Sequence, residues 1–589
     1  MDPPVVCMKQ KEEVVLQRTL PKVKTIDIEF QNVTYTVQQN SDSVRRILKG
    51  VSGAFISGEL TAVLGPSGAG KTSLMNILAG YTCRGVSGDG IRVNGRPRNT
   101  RHFRPLTTYI MQEDRVQPRL NVMEAMMVAS RLKIGQMLHK DRREHIHDIL
   151  STLGIMECEE TRTERLSGGQ RKRLSIALEL VSNPSVLFLD EPTTGLDIHS
   201  NKQVMGALRI LVNQGRTVVC TIHQPSSLEF RAYDNVYVVA SGSCVYSGPP
   251  SELVPFLDGV GTPCPQTYSP ADYIIELVHS CPHTVDLLAN AANSVGFIRN
   301  ISRKYDSKSE KAIKQQTPPS PFWQLWILLG RMLLQRWRNK AFLISQLIHH
   351  IVSSVLLGAI FYGIGNDAAY FLPNFKLALS IGVFYVYTYV MVPILNFPYD
   401  LKLLKREHFN NWYGLLPYYL AYSFSTIPAL VVNVCIFSLI VYTMTGQPME
   451  LDRFIYFALL GLLAGLCSEG LGFVIGAIGR VKNGSVMGPA IVAPLFALSI
   501  YGMGYGYAIE PFMAVMMQFT FVREPALFMR DVGVHNSSIS IALAGMVGFI
   551  LIHRVMGYAA VKYRLHTDLP SRYAVLSLAN KLLSHVRRK

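Results

Sequence analysis

Apolar and polar positions follow two different patterns that divide the chain near residue 283. From 26 to 282, short β-rich runs such as 60–64 and 186–189 alternate with helical runs such as 73–79. That alternation predicts an α/β domain. Residues 284–318 are polar, rich in Lys and Ser, and end at the Pro318-Pro319 pair, which reads as a linker. The stretch 322–340 sets Trp323, Trp326 and Trp337 beside Arg331, Arg336 and Arg338. This mixture suits a helix lying along a membrane interface, with an ordinary surface helix as the alternative.

Six apolar segments follow, at roughly 342–363, 375–397, 418–443, 454–477, 486–507 and 541–561. Each is near the ~20 residues needed to cross hydrocarbon. The fifth is interrupted by Pro489, Pro494 and glycines. Basic residues cluster in alternate connections: Arg336, Arg338 and Lys340; Lys402, Lys405 and Arg406; Arg480 and Lys482; Lys562 and Arg564. The opposite connections hold Arg453, Arg523 and Arg530. This asymmetry predicts an even number of spans with both termini in the cytosol. The first 25 residues have no apolar core of signal-peptide length, in keeping with a cytosolic N-terminus. The resulting plan is an N-terminal extension (1–25), a nucleotide-binding domain (26–283), the linker (284–318), an interface helix (319–341), a six-span membrane domain (342–565) and a basic cytosolic tail (566–589).

Composition fits this division. The chain has 589 residues, 49% hydrophobic and only 17% charged, with a formal net charge of +17. The loop cations account for part of that charge, so the reading needs no nucleic-acid partner. The nine cysteines include no CxxC pair, which supports neither a zinc site nor a disulfide framework.

The chemistry lies in the first half. Gly65-Pro66-Ser67-Gly68-Ala69-Gly70-Lys71-Thr72 fits G-x-x-x-x-G-K-[ST], with a β-run before it and a helical run from Ser73 after it. Glycines let backbone N–H groups close around phosphate oxygens, and the helix start adds partial positive charge. Lys71 is expected to reach the β- and γ-phosphates of ATP, and Thr72 to offer its hydroxyl to Mg2+. The run 186–191 is an apolar strand ending in two carboxylates, which predicts Asp190 at the metal and Glu191 as general base for the attacking water, with a plain strand end and a capped turn at Pro192 as the alternative.

Leu166-Ser167-Gly168-Gly169-Gln170 resembles the ABC-transporter signature, and with Arg171-Lys172-Arg173 it is similar to that of the G (White-type) subfamily. The order of domains, ATPase before membrane part, resembles the same subfamily. So do Ser269-Pro270-Ala271-Asp272-Tyr273 and the loop Arg406-Glu407-His408-Phe409-Asn410-Asn411-Trp412-Tyr413. The Gln of the signature and the Arg-Glu-His leading to Trp-Tyr look most like the sterol- and lipid-exporting branch. The resemblance covers roughly 26–563. It implies an α/β P-loop ATPase of the ABC type followed by an all-α six-helix transmembrane domain. It also implies that Gln112 is a metal- and membrane-domain-sensing glutamine, that Asp197 belongs to the D-loop, and that His223 is the switch histidine. Ser167, Gly168, Gly169 and Gln170 would cap the γ-phosphate held by a partner subunit. The implied partner is a second half-transporter, the same chain or another. The implied cargo is a hydrophobic small molecule, sterol or lipid-like, bound in a cavity lined by Tyr385, Thr388, Tyr389 and Val392 and, opposite, by Val492, Leu495 and Phe496; the alternatives are the same machine carrying pigment precursors or xenobiotics, and an ATP-gated channel or non-transport ABC ATPase. The expected setting is the plasma membrane, with an intracellular vesicle membrane as the alternative.

Several features depart from the family pattern or stay open. No cysteine lies between the fifth and sixth spans, and the aromatic expected to stack on adenine has only Tyr35 near its register, at Val37. Glu469 inside the fourth span reads either as a packed, hydrogen-bonded acid or as a functional group. Gly472-x-x-x-Gly476 has the spacing for close helix contact. Asn536-Ser537-Ser538 is a glycosylation sequon.

Overall fold

The computed structural model describes residues 23–479 and 539–566, except 39–43, 83–84, 88–89, 136, 281, 295–317 and 366–370, together with a few helical positions between 486 and 493. The chain forms two compact units. One is Met1–Pro319 with Asn410–Trp412, the other Ser320–Phe409 with Tyr413–Lys589.

Among its described residues the first unit has two sheets. The six-stranded sheet has the order Ser243–Gly248, Asn235–Ala240, Leu60–Leu64, Thr217–Thr221, Val186–Asp190, Thr107–Ile110, and all but the first strand run parallel. The middle strands are buried along their whole length. That is why they read as unbroken apolar runs rather than alternating ones. The second sheet is antiparallel, built on the long pair Ile28–Gln38 and Val44–Phe55. The α/β fold expected for the first half is therefore present.

One boundary differs from the sequence reading. Pro282–Ser294 is a helix, although 284–294 reads as the start of a linker. Val285, Leu288 and Ala292 lie on one face and are buried, so the short apolar stripe within a polar run is enough to dock it.

The described residues of the second unit are largely helical. Pro321–Arg338 buries Gln324, Leu328, Arg331 and Met332 and leaves Phe322, Trp323, Trp326 and Trp337 exposed. Its aromatic side is thus exposed while its polar and aliphatic side is packed. Arg331 Nη1 donates to both carboxylate oxygens of Glu407, at 3.1 and 3.0 Å. The Tyr413 hydroxyl donates to the same carboxylate. This pair joins the helix Pro321–Arg338 to the end of the second apolar helix.

Five described helices are long and apolar enough to cross a membrane: Lys340–Ile360, Lys376–Phe409, Leu415–Met444, Leu451–Ile478 and Leu543–Leu565. The fifth apolar segment of the sequence, 486–507, falls almost wholly outside the described residues, as do the sequon at Asn536 and the tail beyond 566. The second helix is longer than its apolar pattern suggests. It runs from Phe371 to Phe409, 39 residues, through Pro393 and Pro398. At ~1.5 Å per residue this is far more than the ~30 Å of hydrocarbon. The stretch read as a loop after 397 is therefore the helix's own polar end as far as Phe409. The turn is confined to 410–414, where Asn411 takes a left-handed backbone, φ 56°.

Gly472 and Gly476 mark the close approach of two of these helices. A Cβ on Gly472 would stand 2.2 Å from the Val390 carbonyl oxygen, and one on Gly476 would stand 2.8 Å from that of Pro393. The small-residue spacing thus lets Leu451–Ile478 lie against Phe371–Phe409. Glu469 is buried and paired: Arg554 Nη2 donates to its Oε2 at 2.7 Å, and Nη1 donates to Ser423 Oγ at 3.1 Å. The packed reading of this acid is the one the geometry favours, with a cation as its partner.

Removing one member of such a pair leaves a buried charge, so Arg554→Gln is expected to cost about 3 kcal/mol, while Glu469→Gln/Arg554→Gln recovers most of the loss. Thermal unfolding of the purified variants in detergent checks this. Equal midpoints for the single and double variants would contradict it.

Candidate functional site

The parallel sheet places the predicted chemistry at one edge. The phosphate loop follows strand Leu60–Leu64, Gln112 follows Thr107–Ile110, Glu191 follows Val186–Asp190, and His223 follows Thr217–Thr221. All four points are carboxyl ends of neighbouring parallel strands, where open α/β sheets collect ligand-binding groups.

The loop is shaped by its glycines. Gly65 has φ 146°, and a Cβ there would meet the Val239 carbonyl oxygen at 2.0 Å. Gly68 has φ 77°, with open space around its missing side chain. Helix Lys71–Leu78 starts from Gly70, itself left-handed at φ 109°. Lys71 Nζ donates to the Gly65 and Pro66 carbonyl oxygens at 2.6 and 3.1 Å. Burial holds its ammonium below the usual lysine value, against the attraction of Glu191 and Asp190. Pro66, Ala69 and Ser73 complete the loop and the helix start. Ser67 and Gly68 are exposed at its mouth.

Asp190 ends its strand almost buried, at 9% exposure. Burial raises its pKa, and hydrogen bonds from Thr221, Tyr109 and Thr72 pull it back down. Thr221 Oγ1 donates to Oδ1, and Tyr109 Oη donates to Oδ2 at 3.3 Å. Thr72 Oγ1 stands 3.5 Å from Oδ1. A hydroxyl and a carboxylate thus converge at the loop mouth, a hard-oxygen donor set that suits Mg2+.

Glu191 takes a left-handed backbone, φ 49°, unusual for a residue with a long side chain. Such a conformation costs on the order of 1–3 kcal/mol. It is held because the Glu191 N–H donates to the Thr221 carbonyl and hydroxyl oxygens at 3.2 and 3.0 Å. The turn carries the carboxylate out of the strand, where Gln112 Nε2 donates to its Oε2 at 2.9 Å. His223 Nε2 and Ser67 Oγ share a hydrogen bond of 2.5 Å. Gln112 and Glu191, and His223 and Ser67, thus form two bonded pairs at neighbouring strand ends, with Lys71 within electrostatic reach of Glu191.

Ser167 caps helix Gly168–Leu180. Its Oγ accepts from the Gln170 N–H at 3.2 Å, and Gln170 Oε1 accepts from the Ser167 N–H at 3.0 Å. This is a capping box. Ser167 and Gly168 are exposed while Gly169 is buried, where a Cβ would stand 2.6 Å from Ser200. Asp197 caps the neighbouring helix Ile198–Asn213, accepting from the Ser200 N–H at 3.3 Å. Ile198, beside it, is 88% exposed.

The proposed cargo residues divide. Tyr385 and Tyr389 are buried in the helix packing of their own unit. The Tyr385 and Ser438 hydroxyls lie 3.4 Å apart, and Tyr389 Oη is 3.0 Å from His350 Nε2. Thr388 and Val392 are half-buried. Val492, Leu495 and Phe496 lie outside the described residues.

Sequence reading did not single out Thr221 and Tyr109, the hydroxyls that hold Asp190, or Glu179. Glu179 is wholly buried, paired with Lys133 at 2.5 Å, and accepts from Trp412 Nε1 at 3.1 Å. Each is an ordinary member of a strand or helix in the sequence. The one available signal was the charge of Glu179 within an otherwise apolar helical face. Among the described residues no His, Cys, Asp and Glu cluster has metal-site geometry of its own.

Two family models match this chain: "ABC transporter" over residues 48–194 and "ABC-2 type transporter" over 323–523. The chain is 30% identical over 521 residues to ABC transporter G family member 21 of Arabidopsis thaliana, covering 80% of this chain and 76% of that protein. It is 28% identical to the ABC transporter ATP-binding protein/permease wht-1 of Caenorhabditis elegans, covering 78% and 73%. It is also 30% identical to the pleiotropic drug resistance protein TUR2 of Spirodela polyrhiza, covering 73% of this chain and 32% of that longer protein.

Gly65→Ala would force a Cβ into the Val239 carbonyl at a backbone angle that L-residues avoid. The variant is expected to lose nucleotide binding, seen as loss of the thermal shift that ATP gives the parent protein. A parental shift in Gly65→Ala would show that the loop can do without this glycine.

Proposed function

The chain belongs to the ABC transporter G family and couples ATP hydrolysis to transmembrane transport, and from this premise we propose that it is a half-transporter that works as a dimer and exports sterol or other lipid-like apolar molecules. The observation that carries the dimer is the exposure of Ser167 and Gly168 at a capped helix start, together with the exposed loop of Gly195, Asp197 and Ile198. A helix N-terminus is an anion site. One chain contributes one phosphate loop and one such helix start, so two chains facing each other would make two complete sites.

In this reading the cradle of 65–72 binds the β- and γ-phosphates of ATP, and Lys71 leaves its loop carbonyls to meet them. Thr72 and Asp190 would hold Mg2+, with Gln112 as a further oxygen donor. Bound Mg2+ supplies charge neutralisation on the phosphate oxygens as the bond to the γ-phosphoryl breaks. Glu191, aimed outward by its left-handed turn, accepts a proton from the attacking water. Gln112, bonded to Glu191, orients that carboxylate. His223 contacts the γ-phosphate from the neighbouring strand end, within reach of Ser67. Closure around ATP drives the membrane helices only through a higher affinity for nucleotide in the closed state.

The alternation of basic connections supports both termini in the cytosol of a plasma or vesicle membrane. The cargo reading rests on the Gln of the signature, the Arg406-to-Tyr413 stretch and the aromatic and aliphatic side chains of Tyr385, Tyr389 and Val392. A second cargo class, diverse xenobiotics, is favoured by the similarity to TUR2, whose name denotes pleiotropic drug resistance. Flux of labelled sterol, phospholipid and drug probes into inside-out vesicles separates the two.

Glu191→Gln is expected to bind ATP and stay in the closed dimer with turnover lowered by at least about a hundredfold, and Lys71→Met to lose turnover. Phosphate release together with crosslinking across the two facing sites measures both effects. Parental turnover in Glu191→Gln would remove this glutamate as the base.

A further inference from the structure

The carboxylate of Asp190 is held from two sides. Thr221 and Thr72 reach Oδ1, and the Tyr109 hydroxyl reaches Oδ2 at 3.3 Å. Tyr109 lies on Thr107–Ile110, the outermost strand of the parallel sheet, paired in register with Phe188 two positions before Asp190. The residue is buried, with its ring edge-on to Tyr81 at 5.2 Å. Tyr81 in turn lies beneath the Arg104 guanidinium, 5.6 Å from the ring centroid.

The open edge of this strand is met by the side chain of Asn410. The Tyr109 N–H donates to Asn410 Oδ1 at 3.2 Å, and Asn410 Nδ2 donates to the Tyr109 carbonyl oxygen at 2.9 Å. The Tyr81 hydroxyl donates to the same Oδ1 at 3.2 Å. A carboxamide offers one donor and one acceptor side by side, as a neighbouring strand does, so Asn410 continues the sheet by one residue. Asn410 packs within the ATPase unit although it comes, in sequence, 91 positions after Pro319, beyond the second apolar helix.

We propose that Tyr109 is a positioning residue for the metal-binding carboxylate of Asp190, and that Asn410 sets where Tyr109 stands. This rests on the reading of Asp190 as a Mg2+ ligand. A carboxylate with a hydroxyl on each oxygen cannot rotate freely about its Cβ–Cγ bond, and metal affinity depends on that orientation. The path is short: amide of Asn410, backbone of Tyr109, phenol of Tyr109, carboxylate of Asp190. A displacement of Asn410 moves the strand edge and with it the hydroxyl that orients the metal ligand.

Tyr109→Phe keeps the ring against Tyr81 and both backbone bonds to Asn410 and removes the hydroxyl. The test uses the full chain in lipid nanodiscs with a non-hydrolysable ATP analogue and Mn2+ as the probe, read by electron paramagnetic resonance. Tyr109→Phe is expected to lower Mn2+ affinity about tenfold while leaving analogue affinity in EDTA at the parental value. Asn410→Ala is expected to shift Mn2+ affinity the same way by a smaller factor. Parental Mn2+ affinity in Tyr109→Phe overturns the proposal, and so does an equal loss of affinity in EDTA, which marks a general defect of the nucleotide site. A parental value in Asn410→Ala removes Asn410 from it. Asp190→Asn separates the two levels: if Mn2+ affinity does not depend on Asp190, the metal-ligand reading itself fails, whatever Tyr109 does.

Discussion

A carboxylate at the end of a wholly buried strand is the constraint around which the ATPase unit is built. Asp190 follows four buried apolar residues, and an ionised group so placed is tolerated only when hydroxyls or cations replace its lost water. Thr221 from the next strand, Tyr109 from the strand on the other side and Thr72 from the phosphate loop supply those hydroxyls. Three separate segments must therefore come to one point before the strand can end in a charge. That requirement fixes the register of the sheet at its carboxyl edge. Thr221 also takes the N–H of Glu191, so the same side chain that bonds the Asp190 carboxylate holds the left-handed turn of Glu191.

The membrane unit solves the same problem with different means. Glu469 and Arg554 neutralise one another, and Ser423 takes a further guanidinium donor. Helix contact is set by what is missing: without side chains, Gly472 and Gly476 let a backbone approach the carbonyls of Val390 and Pro393. In a medium as apolar as the helices themselves, such packing and internal polar pairing replace the hydrophobic drive that assembles the first unit. The Arg331–Glu407 pair serves the helix Pro321–Arg338 in a like manner. It puts the polar side inward and leaves four aromatic rings outward.

Much of this was legible in the sequence, and for identifiable reasons. The phosphate loop, the signature and the two carboxylates after 189 are local features, because the chemistry needs particular residues at particular spacings on one turn or strand end. The five apolar helices among the described residues were legible because hydrocarbon demands length and composition rather than contacts. Gly472 and Gly476 could be named as a spacing, yet which backbone they meet could not. Where periodicity was brief or broken, the reading was shorter than the fact: the stripe of Val285, Leu288 and Ala292 was overlooked inside a polar run, and the helix through Phe409 was cut where its charges began.

The sequence by itself determined the class of machine, since motif chemistry and span length are written in consecutive residues. Only the tertiary structure decided the partners: Tyr109 and Thr221 for Asp190, Arg554 for Glu469, Glu407 for Arg331. These pairings join residues between 31 and 85 positions apart. A buried charge announces that it needs a partner, but the distance at which one arrives depends on how strands order and helices cross. That order is set by packing over whole elements, and no short stretch of sequence records it.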